Sequence, residues 1–313
     1  MQLLKIDKDN YIGQADPYII EHNGKYYIYT TGDDGIYGYS CDTLLGDWKF
    51  EGQILTLPGR RNFWAPSVIC LDGMFYMYFS FELDEAEPDQ GGHHGAMHVA
   101  VSENPMGPFE LKCQIAPPFS IDSHIVKTDA GLFLFYSPNT FEGERIGTHI
   151  VVQKMADPFT LEGEPTVVLL ASIDEEIFSR DRYKPGQHWH TLEGAFWFSE
   201  GEWQYLMYSG GRYEDETYFV GYAAAKTTEQ DLRKVKFQKK PDDKTYAPLL
   251  RSNDWEEGTG HNSVIKVDGE YYCVYHARNA EADGLPGDRR NARIAKMKVC
   301  DGKIEIERYP DHI

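Results

Sequence analysis

The sequence predicts an all-β chain, folded over residues 1–313 as a single five-bladed β-propeller. Three observations predict it. A hairpin-like pattern recurs five times, the recurrences are far enough apart for two more strands each, and no amphipathic helix stands between them.

Each recurrence has a polar or aromatic residue, an apolar stretch, a turn glycine and an aromatic-rich return. In order they read DPYIIEHNGKYYIYTT from Asp16, WAPSVICLDGMFYMYFS from Trp64, IDSHIVKTDAGLFLFYS from Ile121, EGAFWFSEGEWQYLMYSG from Glu193 and HNSVIKVDGEYYCVYHA from His261. The apolar stretch reads as a strand, Asn-Gly or Asp-Gly or its equivalent as the turn, and the Tyr/Phe-rich stretch as the returning strand. The turn glycines Gly24, Gly73, Gly131, Gly201 and Gly269 lie 49, 58, 70 and 68 residues apart. That spacing admits two further strands per unit, and HVAVS from His98 and YFVGYAAA from Tyr218 read as such strands. Four-stranded units without intervening helices bury their faces by stacking radially. A β-sandwich is the competing arrangement.

Composition narrows the function classes. A hydrophobic share of 41% over 313 residues supports a substantial core. The formal net charge of −19 repels nucleic acid and anionic membranes, and it points to a small neutral partner rather than a polyanion. Aromatics reach 14%, with 21 Tyr, which suits β-structure and would equally suit stacking on sugar rings. The start, MQLLKIDKDNYIGQADP, has no basic segment leading into an apolar one. Cys41, Cys70, Cys113, Cys273 and Cys300 are odd in number and lack paired metal spacing. Both features lead to the expectation of a cytoplasmic protein with reduced thiols. A homo-oligomer stays open.

In a propeller the inner strand of every blade begins at the axis, so Asp16, Trp64, Asp122, Glu193 and His261 are expected to converge. Each has an ordinary explanation by itself. Asp16 before Pro17 could start a turn, Asp122 could cap one, and Glu193 before Gly194 could face solvent. Their equivalent placement in the repeat argues for a catalytic centre instead. Cleaving a glycosidic bond needs an acid for the leaving oxygen and a base or nucleophile at the anomeric carbon, and three carboxyls supply both.

At these residues the chain resembles glycoside hydrolase family 43. The motifs are A-D-P (Ala15 to Pro17), W-A-P (Trp64 to Pro66), I-D (Ile121–Asp122), E-G (Glu193–Gly194) and G-H-N-S (Gly260 to Ser263), with SENPMGPFE from Ser102. The ordered set runs from Ala15 to Ala277. The resemblance implies an inverting hydrolase that releases terminal α-L-arabinofuranosyl or β-D-xylosyl units from neutral plant-type oligosaccharides. It implies Asp16 as general base, Glu193 as general acid and Asp122 as the residue that orients Glu193 and raises its pKa. It also implies a calcium or other ion near His261, a sugar-stacking Trp64, and a late arginine supplied by Arg278 or by the Arg289, Arg290 and Arg293 group, with Arg290 preferred. No organic cofactor is expected. His261 as a hydrogen-bonded structural histidine and Trp64 as a core residue are the alternatives.

The chain departs from the family pattern with Ala195 after E-G and with Ser123–His124 after Asp122. Two histidine groups remain. His188 and His190 in QHWH share a strand face and are expected to rim the pocket rather than bind metal. GGHHG, with His93 and His94, reads as part of a long loop over the active face, with His98 just beyond it. Two other functions compete: a carbohydrate-binding propeller without catalysis, and a five-bladed fructosidase-like hydrolase. The second typically carries N-D-P-N-G, R-D-P and E-C, where this chain has ADPYI, IDSH and LEGA.

Overall fold

The computed structural model describes residues 1–7, 9–82, 95–281, 284–285 and 287–309. The described chain is almost entirely β, with two single-turn 3₁₀ segments at Asp174–Glu176 and Leu232–Lys234. None of its helices is long and apolar enough to cross a membrane. Gly91, Gly92, His93 and His94 of GGHHG, and the loop read there, fall outside the described residues.

Five antiparallel four-stranded units follow one another along the chain. Their inner strands are Tyr18–His22, Trp64–Leu71, Ser120–Thr128, Trp189–Glu200 and Glu256–Val267. Each inner strand touches that of the next unit, and the fifth touches the first, so the units form a closed ring. The N-terminal residues complete the closure: Leu3 N–H donates to Ala292 O, and Ile294 N–H donates to Met1 O. The propeller predicted from the repeat is the fold observed.

The ring is held by five apolar clusters, one between each pair of neighbouring units. The strand Trp203–Gly210 shows how the sequence builds them. Its side chains alternate, so Leu206 and Tyr208 pack toward the third unit while Tyr205 and Met207 pack toward the fifth. Phe133 and Phe135 likewise face one neighbour, and Leu134 and Tyr136 the other. A strand buried on both faces needs a continuous apolar run, which is why the returning strands read YLMY and FLFY instead of alternating with polar residues.

The turns refine the sequence reading. Asn23–Gly24, Asp72–Gly73 and Asp268–Gly269 are two-residue turns with positive φ at both positions, 53°/76°, 50°/84° and 51°/83°. That is the backbone that Asn-Gly and Asp-Gly supply at low cost. In the third unit Thr128 pairs with Gly131, so the turn is Asp129–Ala130 and the glycine opens the returning strand. In the fourth, Glu200 pairs with Trp203 and Gly201 takes the first turn position.

The third and fourth units are also joined directly. Gly147–Thr148 pairs antiparallel with Asn139–Thr140 and parallel with His190–Thr191. Ile177–Ser179 adds to the other side of the inner strand at Trp189–His190. These short strands stiffen one wall of the axial pocket.

Leu206 is fully buried between two units. Leu206→Ala should therefore lower the unfolding free energy by about 2–5 kcal/mol. Urea denaturation of the two proteins side by side measures it, and a loss well under 1 kcal/mol would contradict this packing.

Candidate active site

The inner strands share a backbone feature that places the site. Asp16, Ala65, Asp122, Gly194 and His261 all have positive φ, between 44° and 60°. Each lies six residues before the last paired residue of its strand, namely His22, Leu71, Thr128, Glu200 and Val267. These five are the structurally equivalent positions. Trp64 and Glu193 thus stand one residue ahead of Asp16, Asp122 and His261, which corrects the repeat alignment read from sequence. A left-handed residue bends the strand, and both it and its predecessor can then turn toward the axis. For Asp, Ala and His this backbone is strained, a cost typical of functional sites.

One pocket of about 890 Å³, counted out to its open mouth, collects Asp16, Trp64, Asp122, Glu193, His261 and Arg290. Six of the seven sequence-predicted site residues therefore meet. Arg278 does not. It is buried elsewhere, with Nη1 donating to Tyr213 O at 2.7 Å, Nη2 to Asp215 O at 2.9 Å and Nε to Glu257 at 3.3 Å. It secures the Tyr213 backbone, and the Tyr213 ring lies 4.7 Å from the Arg290 guanidinium. Its link to the pocket is through that ring.

The three carboxyls occupy unlike surroundings. Asp16 accepts from Thr31 Oγ1 at 2.5 Å and lies 3.4 Å from Arg290 Nη1 and 3.3 Å from His261 Nδ1. Burial alone would raise its pKa, but the charges of His261 and Arg290 outweigh burial and hold it far below the usual carboxylate range. Of these partners Arg290 carries a permanent charge. Burial lowers His276 to about 4, so near neutral pH its Nδ1 is an acceptor for Asp16 N–H, at 3.1 Å. Arg290 is itself oriented by Asp288, whose Oδ2 accepts from Nε at 2.5 Å.

Asp122 Oδ2 accepts from Gly194 N–H at 3.0 Å. Burial, then the neighbouring Asp16 charge, pushes its carboxyl up to about 8. Glu193 Oε1 accepts from the Tyr218 hydroxyl at 2.7 Å. Burial, then the Asp122 charge, pushes Glu193 up to about 8 as well. Tyr218 reaches Glu193 because residue 260 is glycine: a Cβ there would fall 1.8 Å from the Tyr218 ring. The site can therefore hold one carboxylate and, near neutral pH, protons on the other two.

Sequence reasoning did not single out Thr31, Tyr213, His276 or the hydroxyl of Tyr218. Tyr218 was visible only as the start of a strand. Thr31 closes an aromatic returning strand without any motif. Of QHWH, Trp189 lines the pocket, in step with Thr191 and Glu193. His188 and His190 are on the opposite strand face, which corrects the expectation that they rim it. His190 accepts from Arg145 Nη1 at 2.8 Å, and His188 sits 3.7 Å from Asp181.

The residues near His261 do not make a protein-ligated calcium site. Its Nδ1 faces Asp16 and Asp122 at 3.3 and 3.6 Å, and among the described residues no group of three such side chains is disposed to hold a metal ion directly. Calcium takes six to eight oxygens at about 2.3–2.6 Å.

Comparison with known proteins places the site in context. The model of the glycosyl hydrolases family 43 matches residues 55–304. An extracellular exo-α-(1→5)-L-arabinofuranosidase of Streptomyces avermitilis is 28% identical over 91% of this chain and 59% of its own length. A xylosidase/arabinosidase of Bacteroides ovatus is 23% identical over 94% of this chain and 92% of its own. A solved thermostable family-43 glycoside hydrolase superimposes with a TM-score of 0.78 at 27% identity, covering 97% of this chain and 96% of that one. The chain spans less than three fifths of the length of the first curated relatives it matches.

The Glu193 carboxyl makes a stability prediction. A pKa raised on folding gives stability that is complete below the unfolded carboxylate range and is lost as pH rises through about 8. Glu193→Gln has no such proton to lose. Its melting temperature relative to wild type should be higher at pH 9 than at pH 5, by calorimetry at both values. An equal difference at the two pH values would mean that Glu193 is not raised.

Proposed function

Because this chain belongs to glycosyl hydrolases family 43, we propose that it is an inverting, exo-acting hydrolase of short plant-type oligosaccharides. It releases terminal α-L-arabinofuranosyl or β-D-xylosyl units. The observation that carries the reading is the separation of two carboxyls in one pocket: Asp16 held ionised beside Arg290, and Glu193 held protonated near neutral pH. Titratable pairs pushed apart in this way mark acid and base roles.

The chemistry follows from those states. Asp16 takes a proton from a water molecule as the water oxygen bonds to the anomeric carbon. Glu193 gives its proton to the glycosidic oxygen as the bond from that oxygen to the anomeric carbon breaks. The Tyr218 hydroxyl occupies Glu193 Oε1, which leaves Oε2 to carry the proton. Asp122 acts through Glu193: its charge, when present, opposes ionisation of the acid. Three acidic groups at the pocket floor favour a neutral terminal sugar, with Trp64 as the apolar wall against its ring. The two named relatives, an arabinofuranosidase and a xylosidase/arabinosidase, support these two sugars.

Hydrolysis of aryl α-L-arabinofuranoside and aryl β-D-xyloside by wild type, Asp16→Ala and Glu193→Ala tests the assignment. Asp16→Ala should lose about 10²–10⁴-fold in kcat/KM, the usual worth of a general base. Glu193→Ala should lose less on an aryl leaving group, which needs little acid help, and the full factor on a natural oligosaccharide. Proton NMR of the first product should show the inverted anomer. Full activity in Asp16→Ala would end the mechanism, and a wild type inert on both substrates would end the choice of sugars.

The pH profile checks the acid. kcat/KM should fall as pH rises past about 8, where Glu193 loses its proton. Asp122→Asn removes the like charge and should move that limb to lower pH.

A further inference from the structure

Beyond the catalytic floor, the pocket has a second wall built from Phe178, Arg182 and Trp189. Its position is set by the strand that carries Glu193. Trp189, Thr191 and Glu193 alternate onto one face, so Trp189 lies about 13 Å further along the strand than the proposed acid. The wall therefore continues from the acid's side, where the leaving group sits.

Arg182 is the notable member. Its guanidinium lies 5.3 Å from the Trp189 ring, 5.6 Å from Phe178 and 5.9 Å from Tyr183. Aromatic faces attract the cation but accept none of its N–H groups in the plane. Among the described residues Arg182 makes no side-chain hydrogen bond and no ion pair, although it is half-buried. The other arginines around the pocket are committed. Arg145 pairs with Asp174, Arg212 with Glu214, and Arg290 with Asp288 and Asp16.

The loop that carries Arg182 is pre-formed. Arg182 N–H donates to Gln187 O at 3.0 Å, Gly186 N–H to Asp181 Oδ1 at 2.6 Å, and Asp181 N–H to His188 Nδ1 at 3.1 Å. Phe141 and Tyr183, both exposed, extend the aromatic surface outward from Trp189. A sugar ring can stack there while its substituent meets the guanidinium edge.

We propose that this wall is a leaving-group subsite for a sugar bearing a carboxylate, with Arg182 as its specificity-determining residue. The inference rests on the hydrolase reading above and adds what the enzyme cleaves the terminal unit from. A planar guanidinium fork with unused donors matches a carboxylate in bidentate fashion, and one positive charge balances one uronic acid. The overall charge of −19 does not oppose this: over distances beyond about 8–10 Å it is screened, whereas a contact at Arg182 is local. The sugar released stays neutral, and the sugar it leaves carries the acid.

A matched pair of disaccharides tests it: a terminal unit that the enzyme accepts, linked to a hexuronic acid, and the methyl ester of the same compound. The quantity read is the ratio of kcat/KM for acid over ester within each protein. Wild type should favour the acid by roughly ten- to a hundredfold, the worth of one charge-assisted pair. Arg182→Met should bring the ratio near one, and Arg182→Lys should retain part of it. A wild-type ratio near one, with both compounds cleaved, overturns the subsite and leaves the hydrolase reading standing. If neither disaccharide nor the aryl glycosides are cleaved, the hydrolase reading fails, and calorimetric titration of the two disaccharides decides the subsite. Acid binding that exceeds ester binding and is lost in Arg182→Met supports it; equal binding overturns it.

Discussion

Three carboxyl groups buried in one pocket cannot all be charged, and most of the site is arranged around how that conflict is resolved. Arg290 lies against Asp16 and holds it ionised. Burial, reinforced by the Asp16 charge, raises Asp122, and burial also raises Glu193, with an Asp122 charge opposing a further ionisation, so both retain protons to about pH 8. Burial on one side and the charges of His261 and Arg290 on the other thereby sort three similar side chains into one base and two acids. The supports of Arg290 matter for the same reason. Asp288 orients its guanidinium, and Tyr213, whose backbone is secured by Arg278, lies beneath it.

Bringing those groups together is a backbone problem, and the ring solves it five times in the same way. A left-handed residue recurs at one register in every inner strand. Four of the five positions are not glycine, so the conformation carries a cost that the surrounding packing must meet. The interfaces between units meet it: each inner strand is anchored by a returning strand buried on both faces. Rigid edges and a strained centre are a familiar division between scaffold and site.

The pocket is graded in charge from floor to mouth. The floor is acidic and hydrogen-bonded, one side wall is the apolar face of Trp64, and the other rises through Thr191 and Trp189 to an arginine with no side-chain hydrogen bond or ion pair among the described residues. In the proposed reaction such a gradient would discriminate between the two sugars on either side of the bond. Whole-chain charge and local charge need not agree. Net charge describes the far field, while selectivity is decided within a few ångströms.

Much of this was legible in the sequence, because a propeller repeats a local pattern and its axis follows from its topology. Hairpins with Asn-Gly and Asp-Gly turns, apolar returning strands and polar leading residues are encoded within about twenty residues of one another. That was enough to predict the propeller and to bring Asp16, Trp64, Asp122, Glu193 and His261 to one place, whereas Arg290 came only from the family resemblance. Tertiary structure decided what no local pattern carries. The one-residue offset of Trp64 and Glu193 depends on how each strand bends, not on its letters. Thr31, Tyr218, His276 and Arg182 enter the site from other strands and loops, His276 from 260 residues beyond its partner Asp16. Arg278, read as a pocket residue, is drawn instead to the carbonyls of Tyr213 and Asp215. Which arginine meets a carboxylate and which is left open depends on neighbours that only the folded chain supplies.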